Sequence, residues 1–261
     1  MLFELLKDVT KMGLIVACLY LALGAYARSK QPAWSGLLEK RRLAILCVLV
    51  LAVTVIKVGE DVLAKESGPV DEAILWVVRN HIPAMLAGFF EVVTVTGSAT
   101  VLVPLASVST IALFLARRRH EALLLAASVI SAPILVYVIK TSVGRVRPAL
   151  WETQWYWGSS FPSGHTLAVA AFSTAAALCA IRIWPRLRGF ALSLALSWTC
   201  LVAVSRLVLG VHWPTDVLTA ACIGAFIPLA ISIGLDFLHS DHEAARARRS
   251  AKKNERTDLR R

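Results

Sequence analysis

Three short polar clusters interrupt an otherwise apolar chain and carry most of the side chains that could perform chemistry. They are residues 140–148, 162–165 and 205–216, and together they supply lysine, arginine, histidine and aspartate beside long apolar runs. Charged side chains near a membrane core are costly and tend to mark function. This mixture of fixed cations, imidazoles and one carboxylate is suited to holding a phosphate group and attacking its phosphorus atom.

The first cluster combines basic residues with two helix breakers. Lys140 ends an apolar run and Arg147 follows seven residues later, so a continued helix would place both side chains on one face. Gly144 and Pro148 indicate that the helix frays before it reaches Arg147. On their own, basic residues at a helix end also fit a second interpretation, in which they snorkel to lipid headgroups.

The second cluster places a good N-cap residue, Ser163, and a small residue, Gly164, where an apolar run begins. A helix that starts here offers unpaired backbone N–H groups and the positive end of its dipole, which favour a phosphate ligand. His165 then lies in the first turn, at the mouth of that site. Considered alone, the same residues also fit a simple helix cap with an interfacial histidine.

The third cluster brings a histidine and a carboxylate to one helix start. Pro214 favours the first position of a helix, which makes Asp216 the third residue and lets its carboxylate reach back toward His212. A carboxylate bonded to one ring nitrogen fixes the tautomer and leaves the other nitrogen free to attack. The alternative is an acid that only caps the helix, but a histidine at this spacing beside Arg206 favours the catalytic interpretation.

Long apolar runs make up most of the remaining chain. Hydrophobic residues account for 57% of the 261 residues, which exceeds the roughly 45–50% of soluble domains and indicates an integral membrane protein. The predicted fold is all-α, a polytopic bundle of transmembrane helices, because about 20 apolar residues cross a bilayer as a helix. The predicted crossings are residues 12–27, 43–58, 98–116, 121–142, 164–183, 190–209 and 215–238.

Two other segments have an amphipathic composition. Residues 71–96 mix charges and proline with apolar residues, which predicts one or two amphipathic helices at the membrane interface or, alternatively, a polar crossing. The loop before the second cluster is rich in aromatic residues, which fit either an anchor at the headgroup level or a wall beside the entry path of a lipid. These aromatic residues are Trp151, Trp155, Tyr156 and Trp157.

The placement of lysine and arginine predicts the orientation of the bundle. Alternation of the crossings puts residues 28–42, 117–119, 182–188 and the basic tail on one side, which is the cytoplasmic one. All three polar clusters then lie on the opposite, periplasmic face of a bacterial-type inner membrane. The net charge of +11 belongs to loops and the tail, so it indicates contact with the membrane rather than with nucleic acid.

The three clusters together resemble the sequence signature of the type 2 phosphatidic acid phosphatase (PAP2) superfamily, which consists of integral-membrane lipid phosphatases. That signature is K-x6-RP, then PSGH, then SR-x5-H-x3-D, and residues 140–148, 162–165 and 205–216 match every element and spacing. The resemblance implies a six-helix catalytic domain at residues 43–238, preceded by an extra membrane segment and basic loop at 1–42. A basic cytoplasmic tail follows at 239–261. Residues 219–221 depart from many relatives, which have a glycine there.

The resemblance also implies a division of roles. His212 would attack phosphorus and form a phosphohistidine, Asp216 would orient His212, and His165 would protonate the leaving oxygen and then activate water. The residues expected to hold the phosphate oxygens are Lys140, Arg147, Ser163, Gly164 and Arg206. Arg145 is left out of this set because the signature does not require it. If His165 must be protonated and His212 neutral, activity passes through a maximum with pH.

The expected function is hydrolysis of a lipid phosphate monoester or pyrophosphate without a metal or other cofactor, because three fixed cations can neutralise the phosphate. Undecaprenyl pyrophosphate, phosphatidic acid, phosphatidylglycerol phosphate and a lipid A phosphate all fit this chemistry, and the expected partner is a phosphorylated membrane lipid.

Two alternative functions remain. A lipid-to-lipid phosphotransferase shares the first half-reaction. A lipid or anion transporter would need the cations but not the histidines. The other carboxylates, interpreted as solvating loop residues rather than metal ligands, are Glu60, Asp61, Asp71, Glu72 and Glu91.

Overall fold

Every regular element of the chain is helical within the residues that the computed structural model describes, which are 2–30, 35–151 and 158–258. The all-α prediction is therefore confirmed. Two short 3-10 turns, Ala84–Leu86 and Pro185–Leu187, connect longer helices. The helices are α1 (Leu2–Lys30), α2 (Ser35–Lys40), α3 (Arg42–Leu63), α4 (Gly68–His81), α5 (Ala87–Val95), α6 (Ala99–Leu115), α7 (Arg119–Val143), α8 (Gly164–Ile183), α9 (Arg188–Val208) and α10 (Pro214–Asp258).

Six of the described helices are long and apolar enough to cross a membrane, namely α1, α3, α7, α8, α9 and the first part of α10 up to Leu238. The structure differs from the prediction at residues 98–116, which were expected to form a crossing by themselves. Helix α6 forms a pair with α5, and the pair is bent by 41° at the break between them. Residues 71–96 therefore form two helices, as predicted, but the second of them continues into α6 across the bend.

Contacts within the chain define two compact units, Met1–Leu49 with Ala230–Arg261, and Val50–Leu229. In the first unit, α1 packs against α2, and Arg41 Nη2 forms an ion pair of 2.6 Å with Asp236 Oδ2. The second unit contains all three polar clusters. Its centre is α8, which packs against both α7 and α9.

Helix α8 occupies the centre because its side chains are small and uncharged over most of its length. Apart from His165, no ionisable side chain other than Cys179 occurs before Arg182, and alanine recurs throughout the sequence. Small residues let helix backbones approach closely where lipid supplies no hydrophobic force for association. The buried residues of α8 are Thr166, Leu167, Val169, Ala170, Ala171, Phe172, Ser173, Ala175, Ala177 and Cys179.

Helix α10 approaches α8 closely at Gly224. A Cβ atom at this position would lie 2.5 Å from both the Ala170 Cβ atom and the Leu167 carbonyl oxygen, and 3.0 Å from the Ala171 nitrogen. Two of these three neighbours are backbone atoms, so they cannot move aside as a flexible side chain would. A glycine is therefore required here for α10 to lie against α8, and this contact sets the position of the helix whose first turn carries Asp216.

We expect Gly224→Ala to destabilise the protein by about 1–3 kcal/mol, the usual cost of forcing an extra methyl group into a packed interior. The measurement is the apparent melting temperature of the detergent-solubilised protein. Gly234→Ala is the matched control on the same helix, because no atom lies within 4 Å of its Cβ position. That control should leave the melting temperature unchanged or raise it. Equal melting temperatures for the two variants would contradict the close packing at Gly224.

Candidate active site

Helix α7 ends one turn after Lys140, so the first cluster leaves the helix before Arg147 as predicted. Gly144 stops the helix by adopting a left-handed conformation with φ of 63°, which glycine tolerates best. The chain then forms a loop whose far end returns to its start, because the Ser160 N–H donates to the Arg145 carbonyl at 2.8 Å. The Lys140 ammonium group donates to the Ser159 carbonyl across the same loop.

Ser163 occupies the N-cap position of α8, as predicted, and is completely buried. Its hydroxyl forms no capping bond to the α8 backbone and instead accepts a hydrogen bond from the Thr166 hydroxyl at 3.1 Å. The Ser163 N–H donates to the Asp216 carbonyl at 3.2 Å, which joins the starts of α8 and α10. His165 follows in the first turn of α8 and is half-buried.

Pro214 is the first residue of α10, and Asp216 is the third, as the sequence predicted. The Asp216 Oδ2 atom accepts a hydrogen bond of 2.9 Å from the Trp213 backbone N–H and lies 3.4 Å from His212 Nδ1. The second distance is longer than the roughly 2.7–3.2 Å of most N–H···O bonds, and such catalytic contacts often tighten in the substrate complex. One carboxylate therefore both caps the helix and faces the imidazole.

The partners of His212 determine which of its nitrogens carries the proton. Nδ1 faces Asp216, which is an acceptor only when ionised, and Nε2 lies 3.4 Å from Arg147 Nη1, which is a donor only. The neutral ring satisfies both neighbours only as the tautomer with hydrogen on Nδ1. The lone pair on Nε2 consequently faces a cation, which is the direction from which a phosphate anion would be held.

The other cations of the clusters converge on the same place. Arg206 is 1% exposed and donates to the Thr94 hydroxyl of α5 at 2.8 Å. Arg147 donates to the Val211 carbonyl at 2.8 Å, directly before His212. Lys140, Arg147 and Arg206 lie close enough to act electrostatically on His165, and the two arginines act on His212 as well. The structure thus brings together the catalytic and phosphate-binding candidates of all three clusters.

The pKa of His212 is lowered from 6.5 to about 4, chiefly by burial, because a charged imidazolium would lose its hydration there. The hydrogen bond to Asp216 and its negative charge oppose this shift, and the positive charges of Arg206 and Arg147 contribute to it. His212 is 2% exposed and Asp216 is fully buried. A neutral His212, with its Nε2 lone pair available, is therefore the form present at physiological pH.

Arg145, which the sequence analysis left out, lies at the centre of a buried polar network. Its guanidinium group bonds to Asp216, Thr215, Ser67 and Asp71. The interpretation of Asp71 as a solvating residue was wrong, because its side chain is fully buried and bound to Arg145 and to the start of α10. The only sequence signal was the position of Asp71 in the first turn of an amphipathic helix.

Trp151 is the one of the four aromatic residues of this loop that the structure describes, since Trp155, Tyr156 and Trp157 lie outside the described residues. Its indole packs against Gly210, where a Cβ atom would lie 2.5 Å from the ring nitrogen. Gly210 has φ of 66°, so the turn before His212 needs glycine for its backbone as well as for this contact. Trp76 meets the same indole edge-on, with ring centroids 5.9 Å apart.

Comparison with known proteins shows which family this architecture resembles. Residues 121–237 match the family model of the PAP2 superfamily. Phosphatidylglycerophosphatase B of Escherichia coli K12 is 42% identical over 66 residues, which are 25% of this chain and 25% of the relative. Lipid A 1-phosphatase of Rhizobium johnstonii is 29% identical over 116 residues, which are 41% of this chain and 44% of the relative.

A solved structure extends the likeness over more of the chain. The crystal structure of a transmembrane PAP2 type phosphatidylglycerolphosphate phosphatase from Bacillus subtilis matches with a TM-score of 0.66 and 25% identity, over 72% of this chain and 95% of that one. The fold is thus that of a multi-pass membrane protein, and it is similar to the fold of a PAP2 type phosphatase. The resemblance to the PAP2 superfamily is confirmed over residues 121–237, which match the family model.

We expect His212 to stay neutral, with its proton on Nδ1, as the pH is lowered to about 5, because burial and the neighbouring arginines lower its pKa to about 4. The measurement is a pH titration of the ¹⁵N-histidine NMR spectrum in detergent, with the signal assigned by its loss in His212→Gln. A midpoint near the ordinary value of about 6.5, or a proton on Nε2, would contradict the geometry.

Proposed function

We propose that this protein hydrolyses a phosphate monoester or pyrophosphate on a membrane lipid, through a phosphohistidine formed on His212. The observation that carries this proposal is the buried imidazole of His212, which turns Nδ1 to Asp216 and Nε2 to Arg147. A histidine in a structural role needs no such division of its two nitrogens. A transporter with a cationic vestibule does not need it either.

In the first half-reaction, Nε2 of His212 attacks phosphorus, and a P–N bond forms while the bond from phosphorus to the lipid oxygen breaks. The departing oxygen takes the electron pair together with a proton from His165, which acts as the general acid. Asp216 accepts the Nδ1–H bond throughout and stabilises the positive charge that develops on the ring. The products of this step are the free lipid alcohol, or lipid monophosphate, and phosphohistidine.

In the second half-reaction, water attacks the phosphorus of phosphohistidine while His165, now neutral, accepts a proton from that water. The P–N bond breaks, its electron pair returns to Nε2, and inorganic phosphate leaves. The same histidine therefore serves as acid and then as base, so each turnover restores its starting protonation state.

Lys140, Arg147 and Arg206 would neutralise the phosphate oxygens in both steps, together with Ser163 and the Gly164 N–H at the positive end of α8. Three fixed cations supply the charge that a metal ion supplies in other phosphoryl-transfer enzymes. The buried carboxylates nearby are already engaged, Asp216 by backbone and guanidinium donors and Asp71 by Arg145 and Thr215. We therefore propose a metal-independent reaction.

The substrate class follows from the membrane spans and from the relatives. Relatives named for phosphatidylglycerophosphatase and lipid A 1-phosphatase activity support a phosphorylated lipid as the substrate. Undecaprenyl pyrophosphate and phosphatidic acid also carry a terminal phosphoryl group, as an anhydride in the first and a monoester in the second. The distribution of lysine and arginine supports an active site on the periplasmic face of a bacterial membrane and a cytoplasmic C-terminus.

We expect His212→Ala to lower phosphate release by at least about a thousandfold, because the residue that forms the covalent intermediate is lost. The measurement is phosphate released by the purified protein from a panel of phosphorylated lipids, with and without a chelator. His81→Ala, which removes an exposed histidine of α4, is the matched control and should keep full activity. An active His212→Ala protein would refute the proposal, and loss of activity with chelator would refute its metal independence.

The role of His165 gives this experiment a second arm. With p-nitrophenyl phosphate, whose leaving group needs no protonation, His165→Ala should still form phosphohistidine but hydrolyse it slowly. Acid-labile, base-stable label should then accumulate on the protein. Rapid turnover without accumulation would contradict the assignment of His165 as the base. Transfer of the label to an added lipid alcohol in preference to water would instead indicate a phosphotransferase.

A further inference from the structure

Arg145 is bound on both sides by protein groups. Its Nη1 atom donates to Asp216 Oδ1 at 2.7 Å and to the Thr215 hydroxyl at 2.8 Å, and its Nη2 atom donates to Asp71 Oδ2 at 2.6 Å and to the Ser67 hydroxyl at 3.0 Å. Both carboxylates are fully buried. The guanidinium carbon also lies 5.6 Å from the centre of the Trp213 ring. The group is therefore fixed in one orientation.

We propose that Arg145, held in place by Asp71, is a positioning residue that fixes the Asp216 carboxylate in the orientation that His212 requires. The inference rests on the proposed function of His212. It gives Arg145 a role different from that of Lys140 and Arg147, which flank it in the first cluster.

The bonds of Asp216 explain how Arg145 would position it. Oδ1 accepts from Arg145, while Oδ2 accepts from the Trp213 N–H and faces His212 Nδ1. Each oxygen thus has its own partner, so rotation of the carboxylate would break the bonds of both. Within the part of the chain that the structure describes, only the Trp213 N–H would oppose rotation in the absence of Arg145. The contact with His212, already 3.4 Å long, would then be lost more easily.

The charges of the network support the same role. One guanidinium group lies between two carboxylates, so Asp71 balances the charge of Arg145 and leaves that of Asp216 available to the imidazole. Asp71 also accepts from the Thr215 N–H at 2.9 Å and from its hydroxyl at 2.7 Å. These bonds join α4 to the first turn of α10, the turn that carries Asp216. A buried charge left without this compensation would be costly.

The geometry separates Arg145 from a phosphate ligand. Each of its two Nη atoms carries two hydrogens, and their four hydrogen-bond acceptors are all protein oxygens. A guanidinium group has five N–H donors, so at most one remains for any other partner. Arg145 therefore acts on the reaction through Asp216 and not by touching the substrate.

The test is a double-mutant cycle between Arg145→Gln and Asp216→Asn, read as kcat and KM with a ³²P-labelled lipid phosphate. We expect Arg145→Gln alone to lower kcat about 10- to 100-fold, the usual cost of losing an outer partner that orients a catalytic ligand, and to change KM by less than about threefold. When Asp216→Asn is already present, adding Arg145→Gln should lower kcat by less than about a further threefold, because the carboxylate that Arg145 positions is already lost.

Two conservative variants and a control complete the design. Asp71→Asn should also lower kcat with little change in KM. The kcat of Arg145→Lys should lie between those of wild type and Arg145→Gln, because an ammonium group keeps the positive charge but cannot donate from two nitrogens at once. Thr199→Val removes a buried hydroxyl pair with Ser173 between α9 and α8, at 3.2 Å. It should lower the melting temperature while kcat stays near the wild-type value.

An equal fold-loss in both backgrounds, or a rise in KM at constant kcat, would overturn the inference. If Arg145→Gln does not fold, Arg145→Lys and Asp71→Asn each replace it in the double-mutant cycle with Asp216→Asn. The expected changes in kcat and KM are then judged in the same way. Histidine NMR gives a readout besides activity. In Arg145→Gln, loss of positioning should produce a mixture of His212 tautomers. An unchanged His212 spectrum in this variant would count against the inference. If His212→Ala retained activity, the proposed function itself would fail, which is a separate outcome.

Discussion

The contact between His212 and Asp216 is the interaction on which the rest of this structure depends. A carboxylate and an imidazole are buried together beside several cations, and burying such groups is costly unless each one has a partner. The chain meets this requirement with groups from distant elements. Arg145 of the α7–α8 loop compensates the carboxylate and is itself balanced by Asp71 of α4, while Arg147 of that loop faces the imidazole. The whole arrangement is therefore one electrostatic unit and not a row of separate ligands.

Helix starts supply the geometry of this unit. Helices α8 and α10 both begin at the site, and the bond from the Ser163 N–H to the Asp216 carbonyl holds their first turns together. Two helix N-termini add positive potential where the cations already converge, which favours an anion. The close packing of α10 on α8 at Gly224 keeps the two starts in register, so packing in the helix interior determines the position of groups at the helix ends.

The sequence predicted the parts of the site that are encoded locally. Pro214 and Asp216 lie within one turn, and a left-handed Gly144 ends α7, so spacing and turn chemistry were sufficient for both. The partners of Arg145 could not be found in this way, because Asp71 is separated from it by 74 residues in the chain. Composition even pointed to the wrong environment for Asp71, since a carboxylate near a loop is usually solvated. Only the folded backbone brings α4 to the first turn of α10.

The most direct test of this account is a structure of the protein with vanadate, a phosphate analogue that accepts a nitrogen ligand, bound from solution. We expect vanadium within bonding distance of His212 Nε2, with its oxygens in contact with Lys140, Arg147 and Arg206. Asp216 should remain on Nδ1, and Arg145 should not touch the anion. Vanadate bound away from His212, or held directly by Arg145 in place of Asp216, would contradict the central claim.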